Sequence, residues 1–154
     1  AFIAALGAAI PMSHNLAEAT EIALRFIPSG SRAASAVLFG RGLAGADDAV
    51  DRLHAEYVDL SPVHTLNNLA LVVWALCSFE DDFSAAIGNA VSAGWDTDCN
   101  GATVGGLFGL TGKPIPESWT QPWQGRVGVS LAGYSELPLD DLVERTVAVS
   151  RTLQ

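Results

Sequence analysis

Basic residues are scarce: eight Lys and Arg stand against seventeen Asp and Glu in 154 residues, a formal net charge of −9. That deficit argues against nucleic-acid binding through a basic face and against docking on an anionic membrane. Long apolar runs are missing too. The most apolar segments, Ala1 to Ile10 and Leu69 to Cys77, fall short of the roughly 18 residues a membrane span needs. Ala1 to Ile10 also lacks a basic flank, which makes it a poor signal peptide. The two cysteines, Cys77 and Cys99, form no CxxC and no zinc-ligand spacing. A disulfide between them stays open, but lone thiols in an apolar chain point to a reducing compartment, so a cytoplasmic location is expected.

Charged residues of both signs make up only 16% of the chain, against about 25% in an average protein. The hydrophobic fraction is 49%. That composition excludes disorder and suggests apolar area hidden against a partner. The chain begins without Met inside an apolar stretch. It is expected to start within a larger protein.

Helical periodicity dominates what is there. Leu16, Ala19, Ala23 and Phe26 fall on one helix face, with Asn15 as N-cap and an i,i+4 pair of Glu21 and Arg25. Val50, Leu53 and Tyr57 repeat the pattern behind Asp47 and Asp48. From Pro62 to Phe79 apolar residues point all round, which predicts a helix buried on most sides. Phe83, Ile87, Ala90 and Val91 predict another helix, started by Asp82 and closed by Gly94. A last one follows Pro138, through Leu139, Leu142, Val143, Thr146, Val147, Ser150 and Leu153. Lys113 to Gln124 reads as an irregular connection, and Val127 to Leu131 is the one weak strand candidate. The expected fold class is all-α, a bundle-like multi-helix domain.

One segment carries chemistry. Gly94-Trp95-Asp96-Thr97-Asp98-Cys99-Asn100 leads into Gly101, Gly105, Gly106 and Gly109. Each helical glycine costs up to about 1 kcal/mol relative to Ala, so the run needs a compensating reason, such as close approach of another backbone or a ligand. Asp96, Asp98, Asn100 and Gly101 match positions 1, 3, 5 and 6 of an EF-hand loop, but position 12 is Leu107 instead of the bidentate Glu. Gly112-Lys113 is followed by Pro114, which removes the Ser/Thr of a P-loop. Two readings remain. Asp96 and Asp98 hold one hard cation, Mg²⁺ or Mn²⁺, from a helix start. Alternatively, they are an N-cap and a solvated neighbour.

The stretch from Phe83 to Trp119 resembles the C-terminal signature of the ADP-ribosylglycohydrolase family, which includes the dinitrogenase reductase-activating glycohydrolases. The matching residues are Gly94, Asp96, Thr97, Asp98, the run from Gly101 to Gly109, Ile115, Pro116 and Trp119. The resemblance implies an all-α fold and a site for Mg²⁺ or Mn²⁺, binuclear in the complete protein. It implies hydrolysis of the glycosidic bond joining ADP-ribose to an acceptor such as a protein side chain. Asp96 and Asp98 would be metal ligands. Cys99 stands where the family usually has Thr or Ser, and a thiol is a soft ligand poorly suited to Mg²⁺. Thr97, Gly101, His64 and Asn67 would lie near the substrate, with His64 equally readable as a helix cap. Trp95 replaces what is often a small residue and would crowd or stack on a ligand. The family's Gly-Asp-x-x-Gly and Thr-Asp-Asp motifs do not occur in the sequence. Residues 1–154 are therefore expected to be the C-terminal portion of a single domain, inactive alone and partnered by the N-terminal half of the same fold. A degenerate ADP-ribose or nucleotide binder and a structural cation module are the alternatives. The first of these is suggested by Cys99.

Overall fold

The computed structural model describes residues 1–153. The apolar opening of the chain forms α1 (Phe2–Ala9), which passes into a 3-10 turn at Ile10–Met12. α2 (Leu16–Leu24) starts where Asn15 accepts a hydrogen bond from the Glu18 amide at 2.8 Å. Leu16, Ala19 and Ala23 are buried as their spacing predicts. Phe26 is not, because the helix ends before it and leaves its ring 67% exposed. Glu21 also departs from expectation: it pairs with Arg41 and not with Arg25.

Arg41 belongs to α3 (Arg32–Gly42), capped by Ser31, which accepts from the Ala34 amide at 3.1 Å. α3 lacks a wide apolar stripe; its buried residues are Ala34, Ala36, Val37 and Gly40. Such small residues let it lie very close to α5 (Thr65–Ser78). α4 (Ala49–Glu56) comes between them in sequence, with Leu53 fully buried. α5 is the centre of this part of the chain. Leu69 to Leu76 are all buried, Trp74 among them, so the helix is covered on every side. At Gly40 a Cβ would collide with the carbonyl oxygen of Ala70, so only glycine permits this α3–α5 approach.

α6 (Phe83–Ser92) is capped by Asp82, whose carboxylate accepts from the Ala85 amide at 2.9 Å. It packs along α7 (Thr97–Gly109), with Phe83 and Phe108 meeting edge to face at 5.4 Å. The glycines of α7 find part of their reason here. A Cβ on Gly101 would lie 3.0 Å from the Val91 side chain, and one on Gly105 would lie 3.2 Å from Ile87. Both α6 and α7 rest on α5. Lys113 Nζ ties the end of this unit down, donating to the Glu80 carbonyl at 2.6 Å and to Asp81 at 2.7 Å.

Contacts divide the chain into one unit over Ala1–Pro114 and a second from Ile115 on. The second unit holds α8 (Glu117–Thr120) and a 3-10 turn at Gln121–Trp123, where the sequence predicts irregular chain. β1 (Arg126–Gly128) then pairs antiparallel with β2 (Glu136–Pro138), Val127 opposite Leu137. The expected strand is thus shorter than Val127 to Leu131 and shifted by one residue. Arg126 and Glu136 reinforce the pair at 2.6 Å. α9 (Leu139–Arg151) follows Pro138, with Asp140 and Asp141 in its first turn. Among the described residues, no helix is long and apolar enough to cross a membrane. The protein is all-α in character, with one small two-stranded sheet.

Candidate functional site

The turn from α6 to α7 sets the site. Gly94 and Trp95 both take left-handed backbone conformations, at φ 86° and 61°. For a tryptophan that conformation costs about 1–2 kcal/mol, so its surroundings must hold it. They do so through the ring. The ring centroids of Trp95 and His54 lie 4.4 Å apart, and those of Trp95 and Tyr57 lie 6.3 Å apart in a T-shaped arrangement. His54 Nε2 in turn donates to the Ala93 carbonyl at 2.8 Å. Trp95 therefore packs on the turn through His54 and Tyr57.

Asp96 follows at the N-cap position of α7, half-buried, yet its side chain makes no capping hydrogen bond to the helix. Asp98 lies in the first turn and is exposed. Cys99 is one residue further on, and ligand atoms of Asp96, Asp98 and Cys99 all lie within 4.8 Å of one another. The Asp96 carboxylate beside the Cys99 thiol favours its protonated form, and the negative charge of Asp98 adds to this, so the thiol is held above its ordinary pKa. Cys77 is raised as well, chiefly by burial. Both cysteines are free. Iodoacetamide should modify exposed Cys99 ahead of Cys77, with a pH midpoint above that of free cysteine. Asp96→Asn should bring the midpoint down, since it removes one negative charge beside the thiol. An unchanged midpoint in that variant would contradict an influence of the Asp96 charge on the thiol.

A cavity of about 220 Å³ opens beside the carboxylates. Its polar lining comes from Thr65, Asn68, Asp96, Cys99, Asn100 and Thr103. Asn68 organises it. Its Nδ2 donates to the carbonyls of Pro62 at 2.7 Å and His64 at 2.8 Å. Its Oδ1 accepts from the Asp96 amide at 3.3 Å and from Asn100 Nδ2 at 2.7 Å. One side chain at the start of α5 thereby fixes the start of α7. A larger cavity of about 600 Å³ lies along α1 and α2, but Ala4, Ala8, Met12, Ile22 and Phe26 line it and no side chain there carries chemistry.

The other residues singled out in the sequence fall in different places. His64 is the N-cap of α5, its Nδ1 accepting from the Leu66 amide at 3.1 Å, and it does not line the cavity. Asn67 is fully buried, donates to the Ser61 carbonyl at 3.2 Å, and does not line the cavity that Asn68 lines. Thr97 is half-buried at the first position of α7. Gly101 abuts Val91 of α6. Thr65, Asn68, Asn100 and Thr103 line the cavity, and none of them is among the substrate residues the sequence suggests; Asn100 is 3% exposed. Its position one helical turn after Asp96 was the available signal.

Two carboxylates at a helix start, with Asp96 lining a small cavity of mixed amide, hydroxyl and aliphatic walls, are a set of hard oxygen donors. No curated protein and no solved structure matches this chain. A family model does, over residues 1–152, and its description is ADP-ribosylglycohydrolase. The match spans nearly every residue from α1 to the end of α9, and the chain belongs to the ADP-ribosylglycohydrolase family.

Proposed function

We propose that this chain contributes to the hydrolysis of the glycosidic bond linking ADP-ribose to an acceptor such as a protein side chain, with Mg²⁺ or Mn²⁺ held by Asp96 and Asp98. The observation that carries the reading is the grouping of those two carboxylates within 4.8 Å of each other, with Asp96 lining the cavity. The donor set suits a hard cation, which keeps water in its remaining positions. When bound, such an ion orients the ribose hydroxyls and stabilises charge as the glycosidic bond breaks. The protein's own part is positioning. Asn68 holds the Asp96 backbone, Trp95 and His54 hold the turn before it, and Asn100 and Thr103 offer polar contacts to the bound sugar. Thr97 and Gly101 shape the helix start, and His64 sets the beginning of α5. The cavity is smaller than the roughly 300–1,000 Å³ of a pocket for a drug-sized ligand, so it accommodates part of an ADP-ribosyl group.

The metal site is binuclear in the complete protein, and the N-terminal half of the same fold supplies its other ligands and the acid–base carboxylate. Among the described residues, Asp96, Asp98 and Cys99 are the one His, Cys, Asp and Glu group arranged to hold an ion. Purified residues 1–154 should therefore show no metal-dependent turnover of ADP-ribosyl-arginine, and adding the N-terminal half should restore it. Full turnover by the 154-residue chain would overturn the division of labour. A completed protein that binds ADP-ribose in calorimetry without cleaving ADP-ribosyl-arginine would favour a binding role, the reading that Cys99 among the donors supports.

A further inference from the structure

We propose that α9 pairs with the α9 of a second copy of this chain, the two helices antiparallel across a two-fold axis. Leu139, Leu142, Val143, Thr146, Val147 and Ser150 form one stripe at helical spacing. The two hydroxyls in it turn back on the helix, Thr146 donating to the Leu142 carbonyl at 2.7 Å and Ser150 to the Val147 carbonyl at 2.8 Å. The stripe therefore presents carbon. Yet no residue of α9 is buried: Val143 is 51% exposed and Val147 40%. A helix of 13 residues is marginal in water on its own and draws its stability from a covered face.

Charge and symmetry choose what covers it. At about 100° per residue, Asp140 and Arg151 lie on the same flank of the stripe, roughly 100° and 120° round from Leu139. An isologous antiparallel pair brings like flanks together. Centred on Thr146, the pairing sets Leu139 opposite the partner's Leu153 and Asp140 within one residue of the partner's Arg151, and the two-fold axis makes both contacts twice. The opposed helix dipoles suit the same arrangement. On the other flank Arg145 is engaged within its own copy, its guanidinium 5.5 Å from the centre of the Tyr134 ring. Repulsion between two acidic copies is also weakest here. From Ile115 on, three arginines stand against five carboxylates, whereas the chain before it has five basic residues against twelve acidic ones. Anionic lipid does not fit a helix whose polar side holds Asp140, Asp141 and Glu144 against two arginines. The seam is about 20 Å long, short of what a standard interface of roughly 800 Å² per partner needs, so the dimer is a weak one that dissociates on dilution.

Sedimentation velocity of the 154-residue chain from about 1 μM to about 500 μM tests the pairing. The mean mass should climb from that of one chain towards that of two. Val143→Glu should stay monomeric across the range and keep the wild-type thermal midpoint at the lowest concentration, since the side chain it replaces is exposed. Asp140→Arg and Arg151→Asp should each weaken association about threefold or more. An equimolar mixture of the two should recover it, because the mixed dimer alone sets opposite charges against each other. A wild type that stays monomeric at the highest concentration overturns the second copy as occupant, in favour of a different cover for the stripe. Dimers that persist in Val143→Glu overturn α9 as the seat of the contact. A mixture no tighter than either variant alone overturns the antiparallel arrangement.

Discussion

Gly40→Ala should destabilise the fold by about 3 kcal/mol or more, and lower the thermal midpoint by roughly 6–12 °C. The added methyl meets backbone, not the yielding end of a side chain: the Ala70 carbonyl stands in its place, and the Ala70 Cα lies 3.1 Å away. Relief requires α3 and α5 to move apart, and α5 is packed on its other sides by α6 and α7. The disturbance would reach the cavity, since Asn68 sits two residues before Ala70 on the same helix. Urea titration of both proteins gives the difference. Gly106→Ala is the control: a Cβ there meets nothing within 4 Å, and helix propensity favours alanine by up to about 1 kcal/mol. A loss below about 1 kcal/mol at Gly40 would mean that the two helices are not in the contact described.

Asp96→Asn should reduce hydrolysis by the completed protein about a thousandfold or more, with unfolding free energy changed by no more than about 0.5 kcal/mol. The separation of the two effects is the informative part. The Asp96 side chain makes no cap to α7, and the Asp96 backbone is held by Asn68, which the substitution leaves untouched. What changes is charge and donor strength beside the cavity. If a metal ion supplies several kcal/mol of transition-state stabilisation, losing its ligand costs on that scale, at about 1.4 kcal/mol per decade of rate. Turnover of ADP-ribosyl-arginine and a denaturant titration give both quantities. Parallel loss of stability and activity would favour a structural cation.

Local chemistry was legible in the sequence, and distant chemistry was not. Asn15 and Asp82 cap as their spacing predicts because the bond spans three residues. His64 caps α5 for the same local reason. The partner of Glu21 is 20 residues away, on a helix that the apolar pattern did not announce. α3 escaped notice because its buried side is made of Ala and Gly, whose meaning is set by the neighbour they admit. At the site, Asp96 and Asp98 stand out by spacing. Choosing Asn68 over Asn67 as the cavity residue needs the helix start at Thr65, since one residue turns a side chain by about 100°. The Asn100–Asn68 hydrogen bond joins residues 32 positions apart and carries no local mark.

The links from the Pro62 and His64 carbonyls to the start of α7 are made wholly of amides, side-chain and backbone. None of them titrates where Asp, Glu, His and Cys change charge. The hydrogen bonds that tie the start of α7 to α5 therefore need no charged partner, so this link stands beneath the carboxylates without a charge of its own.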